Sequence, residues 1–150
     1  MKIYHTVLKH TLVAEIESSF VNTPESVLEL MQDSFNERPN QESFWVLMLN
    51  RKNKLIHKHM HTIGAISSSL VCPSELFKTV VLNSCSAMIV CHNHPSGDPS
   101  PSSADIQITR KIKDCADLLD IDFLDHVICG QKSEDPAEIG YYSFREAGLL

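Results

Sequence analysis

The chain has 150 residues, 43% hydrophobic and 21% charged, with a net charge of −6, the proportions of one ordinary globular domain with a real core. The acidic balance argues against a dedicated nucleic-acid binder, which carries a basic face to neutralise phosphates. No apolar run approaches the roughly 20 residues of a membrane span, and the start MKIYHTVLKH is no signal peptide.

Five cysteines without a CxxC pair, mostly in apolar segments, read as buried thiols of a reducing, cytoplasmic compartment. In chain order, KIYHTVLK (2–9) and TLVAEIE (11–17) alternate like two strands or one bent strand. Such an edge strand either completes a sheet or pairs two copies into a homodimer. Thr23 before Pro24 predicts a helix start, because proline at the first helical position loses no needed N–H. Val27, Leu30, Met31 and Phe35 then share one face of a helix over 24–35. The polar break NERPNQ (36–41) divides an N-terminal extension, 1–35, from a body, 36–150.

FWVLMLN (44–50) predicts a central strand. RKNK turns the chain into LIHKHMHTI (55–63), its hairpin partner. From Pro73 a helix is expected, with Leu76, Phe77, Val80 and Val81 at helical spacing. AMIVC (87–91) reads as a short buried strand. Ser103 to about Leu119 is the clearest helix, with Ile108, Ile112, Cys115 or Ala116, and Leu119 in register. IDFLDHVICG (121–130) and YYSF (141–144) close the chain as strands. Alternating strands and helices predict an α/β fold with a mixed sheet.

The segment CHNHPSGDPSPSSAD (91–105) asks for more than a turn. Strand side chains alternate, so His92 and His94 point the same way from the strand's end. The loop then delivers a helix with Asp105 in its first turn. Two imidazoles and one carboxylate would leave a tetrahedral zinc an open position for water, whose pKa falls toward about 7. The simpler account is also open: Asp105 favours the helix dipole behind an N-cap at Ser102 or Ser103, and the histidines mark a strand end.

The run His92-Asn-His94, Pro95 to Pro101, Ser102-Ser-Ala-Asp105 resembles the JAMM motif of JAB/MPN-domain metalloproteins, and HNHPSGDPSPS resembles the RadC branch in particular. The likeness runs on through SADIQITRKI, LDH (124–126) and YYSF, and back through PSELF and ESFWVLMLN, covering about 40–150. It implies the JAB/MPN (cytidine deaminase-like) fold, a mixed, largely antiparallel sheet flanked by helices. It implies zinc on His92, His94 and Asp105, Ser102 as an oxyanion donor, and a glutamate before an early core strand as general base. Glu42 matches that position best; Glu75 and Glu15 are the alternatives. Ser74 and Asn50 depart from the arginine and aspartate common in RadC relatives. Residues 1–35 show no counterpart of the helix-hairpin-helix region of full-length RadC proteins, which weakens an inherited DNA-repair role.

His57, His59 and His61 share a strand face, but no carboxylate or cysteine is evidently placed to complete a metal set, so they are expected to face solvent. His126 is expected to be hydrogen-bonded internally rather than a fourth ligand, and Cys91 to face the core. HNH here is not the scattered nuclease motif, and deamination would need H-x-E with PCxxC. Two functions remain: a zinc hydrolase cleaving a peptide or isopeptide bond in a polypeptide substrate, or a non-catalytic metal-binding interaction domain linked to DNA repair or mobile elements.

Overall fold

The computed structural model describes residues 20–66 and 71–150. The strands expected over 2–9 and 11–17, and with them Glu15, lie outside the described residues. Among the described residues three helices and five strands follow in the order α1 (Pro24–Asn36), β1 (Ser43–Leu49), β2 (Leu55–Ile63), α2 (Pro73–Leu82), β3 (Ala87–Asn93), α3 (Ser103–Leu118), β4 (Asp122–Cys129) and β5 (Tyr141–Ser143). The sheet order is β2-β1-β3-β4-β5. Only β3 and β4 run parallel; the other three neighbouring pairs are antiparallel. A parallel pair requires a crossover, and α3 supplies it. The fold is α/β with a mixed, largely antiparallel sheet flanked by helices.

Alternation along the strands divides the core. Phe44, Val46 and Met48 of β1 and Met88 and Val90 of β3 face α2 and α3, meeting Leu76, Phe77, Val80, Ile108, Ile112 and Ala116. Leu47, Leu49, Ala87, Ile89 and Cys91 face the other way, against Val27, Met31 and Phe35 of α1. Each of those α1 side chains, buried at four-residue spacing, contributes about 1.5–3 kcal/mol. Thr23 caps α1, accepting from Ser26 N at 3.3 Å, and Tyr141 Oη donates to Glu25 Oε1 at 2.7 Å, tying α1 to β5.

The helix faces differ from expectation at their ends. Val81 is 53% exposed and Leu119 is 44% exposed, while Ala116 is buried. Both exposed residues sit where their helices terminate. At the β1–β2 hairpin, Asn50 Oδ1 accepts from Lys52 N and Lys54 N at 2.9 and 3.1 Å, so the amide closes the turn that an aspartate would also close.

Candidate metal centre

β3 runs between β1 and β4 with every residue buried. Its alternation sends His92 to the α2/α3 side, while Cys91 lies in the core on the α1 side as expected. His94 sits one residue past the strand, its N–H still donating to Cys129 O of β4 at 3.0 Å. The loop then folds back on it. Gly97 N donates to His94 O at 2.9 Å, and Asp98 O lies 2.8 Å from His94 Nδ1. A carbonyl only accepts, so Nδ1 carries the proton and Nε2 keeps its lone pair. Close backbone approach makes this loop possible. A Cβ on Gly130 would lie 2.2 Å from Gly97 O.

The helix end delivers the carboxylate. Ser102 is the N-cap of α3 and Asp105 its third residue, forming a reciprocal capping box. Asp105 N donates to Ser102 Oγ at 3.1 Å, while Ser102 N and Oγ donate to Asp105 Oδ2 at 2.7 and 2.6 Å. The capping account and the ligand account therefore coexist: capping occupies Oδ2, which also lies 3.7 Å from His94 Nε2, and leaves Oδ1 over. Asp105 is 1% exposed, and Oδ1 is buried with no hydrogen-bond partner.

That orphaned oxygen lies 3.3 Å from His92 Nε2, which lies 3.1 Å from His94 Nε2. Zinc–ligand bonds near 2.0–2.1 Å in a tetrahedron give edges of about 3.3–3.4 Å. Two imidazole nitrogens and an unsatisfied carboxylate oxygen at such spacing fit a divalent metal. Glu42 Oε1 comes within 3.8 Å of His92 Nε2, and one donor atom from each of Glu42, His92, His94 and Asp105 falls within 4.8 Å of all the others.

Electrostatics follow from this crowding. Burial works against the Asp105 carboxylate, but the neighbouring His94 and His92 and the Ser102 bonds outweigh it and hold its pKa well below the usual range. Burial likewise opposes protonation of His94, yet Asp105, Asp98 and Glu42 together raise its pKa. Burial drives His92 down, helped by His126. Burial pushes the half-buried Glu42 carboxyl up, against the N–H of Ile66 and the charge of His94.

His126 is fully buried on β4, with His92 Nδ1 2.9 Å from its Nε2 and Thr109 Oγ1 2.6 Å from its Nδ1. It is thus internally bonded, as expected, and stands outside the group of converging donors. The row 57–61 differs from expectation. His57 is exposed, but His59 and His61 are half-buried on the face covered by α2, and they share a groove with Cys72 and Glu75. A cysteine and a carboxylate do stand nearby, but among the described residues only the group around His92 brings three or more such donors together. Glu75 is therefore apart from that group.

Sequence reasoning missed Asn93. Its side chain accepts from Ser43 N at 2.9 Å and donates to Gln41 O at 3.0 Å, gripping the backbone on both sides of Glu42. It missed the Asp98 carbonyl and Thr109 as well. Only the His-x-His alternation hinted that the middle residue must face elsewhere.

The sheet order, and the delivery of this cluster from a strand tip and the next helix's first turn, define a domain of the JAB/MPN class. Within that class the chain belongs to the RadC-like JAB domain family, whose sequence model matches residues 21–149. The match begins nearer the N-terminus than the resemblance over 40–150. The chain is 39% identical over 141 residues to UPF0758 protein YsxA of Bacillus subtilis, covering 94% of this chain and 57% of that protein. It is 40% identical over 129 residues to UPF0758 protein TTE0897 of Caldanaerobacter subterraneus, covering 85% and 55%. A UPF0758 protein of Syntrophomonas wolfei is 42% identical over 133 residues, covering 87% and 54%. The chain thus spans about half the length of the curated relatives it matches.

Proposed function

We propose that the chain is a zinc-dependent hydrolase of the JAMM type that cleaves a peptide or isopeptide bond in a polypeptide. Its ligands are His92, His94 and Asp105, and its base is Glu42. The observation that carries this reading is the buried, partnerless Oδ1 of Asp105 beside two converging imidazole nitrogens. A carboxylate oxygen so placed is costly unless something cationic meets it. No helix among the described residues is long and apolar enough to cross a membrane. We read the unpaired cysteines as reduced thiols of a cytoplasmic protein.

Zinc, when bound, supplies a Lewis acid and lowers the pKa of a water in its open position toward about 7. Glu42 would take a proton from the attacking water and return it to the leaving amine as the C–N bond breaks, and its upward-shifted pKa suits both roles. The Ser102 hydroxyl rests on Asp105 Oδ2; serving a developing oxyanion requires it to turn away from that bond. Beside His94 a cavity of about 400 Å³, walled by Leu28, Phe35, Pro39 and Pro95, offers room for an apolar side chain flanking the cleaved bond.

The test combines metal analysis with a search for released amines. Zinc-loaded protein is incubated with a denatured proteome, and new α-amino and lysine ε-amino ends are sequenced. Wild type is expected to generate them, whereas Glu42→Gln keeps its zinc and generates none. Zinc retention by a wild type that releases no amine would instead favour the metal-binding interaction domain.

A further inference from the structure

A hydrogen-bonded chain leaves the metal centre through the core, and its direction can be read from the far end. Thr109 Oγ1 lies 2.6 Å from the backbone carbonyl oxygen of Asp105 and 2.6 Å from His126 Nδ1. A carbonyl oxygen cannot donate, so the single hydroxyl proton of Thr109 goes to Asp105 O. Toward His126 the hydroxyl therefore only accepts, and His126 Nδ1 carries a hydrogen.

The other nitrogen of His126, Nε2, lies 2.9 Å from His92 Nδ1. His126 is 0% exposed. Its ring stacks on Phe144 at 4.8 Å and meets the edge of Phe44 at 5.6 Å. Its two nitrogens face a hydroxyl and an imidazole, with no carboxylate on either. A cation in such surroundings costs several kcal/mol, so His126 is neutral and Nε2 holds a lone pair. His92 Nδ1 then donates to it, which leaves His92 Nε2 bare. That is the nitrogen turned toward His94, Asp105 and Glu42.

We propose that Thr109 and His126 are positioning residues that fix the tautomer of His92, holding its Nε2 lone pair ready for the metal. The inference rests on the reading of His92 as a zinc ligand. It accounts for an otherwise unexplained arrangement, a polar chain in the apolar face of the sheet that leaves from one ligand and returns to the backbone of another. His94 obtains the same tautomer by a separate device, the Asp98 carbonyl. Each imidazole thus has its own partner, one in the loop and one in the core.

The test uses long-range proton–nitrogen NMR of the histidine rings in the full metal-free chain near neutral pH, with zinc affinity measured by competition against a chromophoric chelator. Wild type is expected to show His92 and His126 as neutral rings protonated at Nδ1. Thr109→Val, which keeps the shape and removes the hydroxyl, is expected to lose that single pattern and to bind zinc about 10–100-fold more weakly. Thr109→Ser restores both. A His126 protonated at Nε2 in zinc-binding wild type overturns the proposal alone, as does a Thr109→Val protein matching wild type in spectrum and affinity. Wild type that takes up no zinc overturns the metal reading beneath it, and the proposal with it. Should Thr109→Val fail to fold, the wild-type spectrum and the Thr109→Ser affinity still decide.

Discussion

Asn93 and Ser43 hold each other across the β1–β3 boundary, the asparagine carbonyl accepting from both the N–H and the hydroxyl of Ser43 at 2.9 and 3.1 Å. Its amide donates to Gln41 O at 3.0 Å, so the residue between the two histidines clamps the chain on either side of Glu42. The single tryptophan joins the same chain, Trp45 Nε1 donating to Ser43 Oγ at 3.0 Å. Asn93→Ala leaves the buried Ser43 N–H without its partner and frees the part-buried Gln41 carbonyl, at a cost of about 1–3 kcal/mol. Urea denaturation is expected to show that loss, and Trp45 emission to shift to the red as its hydroxyl partner is freed. Zinc stoichiometry is expected to stay unchanged, because the histidine faces are untouched. Unaltered emission and stability would show that the clamp does not hold Glu42's segment.

Gly130 governs the opposite side of the site. A Cβ there meets Gly97 O at 2.2 Å and Pro99 N at 3.0 Å, both backbone atoms, so Gly130→Ala must push the 97–99 segment outward. Overpacking of this kind costs about 1–3 kcal/mol. The displaced segment carries the Asp98 carbonyl that fixes His94. Zinc affinity is therefore expected to fall about tenfold or more, together with the melting temperature. Chelator competition on the purified variant checks it. Wild-type affinity would mean that His94 keeps its orientation without the carbonyl.

Much of this architecture is written locally. Thr23-Pro24 marks the start of α1, the nearly continuous apolar run places FWVLMLN between two neighbours, and the spacing from His92 to Asp105 carries the donor set. What lies across the sheet is not written locally. His126 meets His92 only because β3 and β4 pair in one particular parallel register, with Val90 opposite His126, and no residue near either histidine encodes that register. Asn93 finds partners 50 and 52 positions away. The burial of His59 and His61 depends on α2 returning over β2, which the alternation of β2 leaves open. Ser102 illustrates the reverse case: the cap was legible, but not that capping would occupy one oxygen of Asp105 and leave the other bare.

The two buried imidazoles make the metal-free fold sensitive to acid. Burial holds His126 down to about 3 and His92 well below its ordinary value, whereas in the unfolded chain both titrate near about 6.5. Below that pH the unfolded chain binds protons that the folded chain refuses, so stability falls as pH drops. His94 has a raised pKa; it is protonated in both states below about 6.5 and adds no slope there, its contribution being lost only as pH rises through the folded value. Each buried imidazole contributes up to about 1.4 kcal/mol per pH unit. Urea midpoints measured with a chelator present are expected to decline from pH 6.5 to 5. A flat profile would mean that His92 and His126 both take up their protons while folded.

Ser102 separates the cap from the ligand. Its hydroxyl accepts from Asp105 N at 3.1 Å and donates to Asp105 Oδ2 at 2.6 Å. Ser102→Ala therefore loses the N-cap of α3, about 1 kcal/mol, and also removes one of the donors that hold the Asp105 carboxylate ionised. Because Ser102 N still donates to Oδ2 at 2.7 Å, the carboxylate keeps its place, and zinc binding is expected to weaken rather than vanish. Ser102→Thr retains the hydroxyl and should recover both stability and affinity. The two effects part under titration. A pure capping role predicts lower stability at every pH with unchanged zinc affinity, whereas a hold on Asp105 predicts affinity that falls more steeply than wild type as the solution is acidified. Chelator competition from pH 7.5 down to 5.5, run beside thermal melts of the same samples, distinguishes them, and parallel affinity curves for Ser102→Ala and wild type would restrict Ser102 to the helix end.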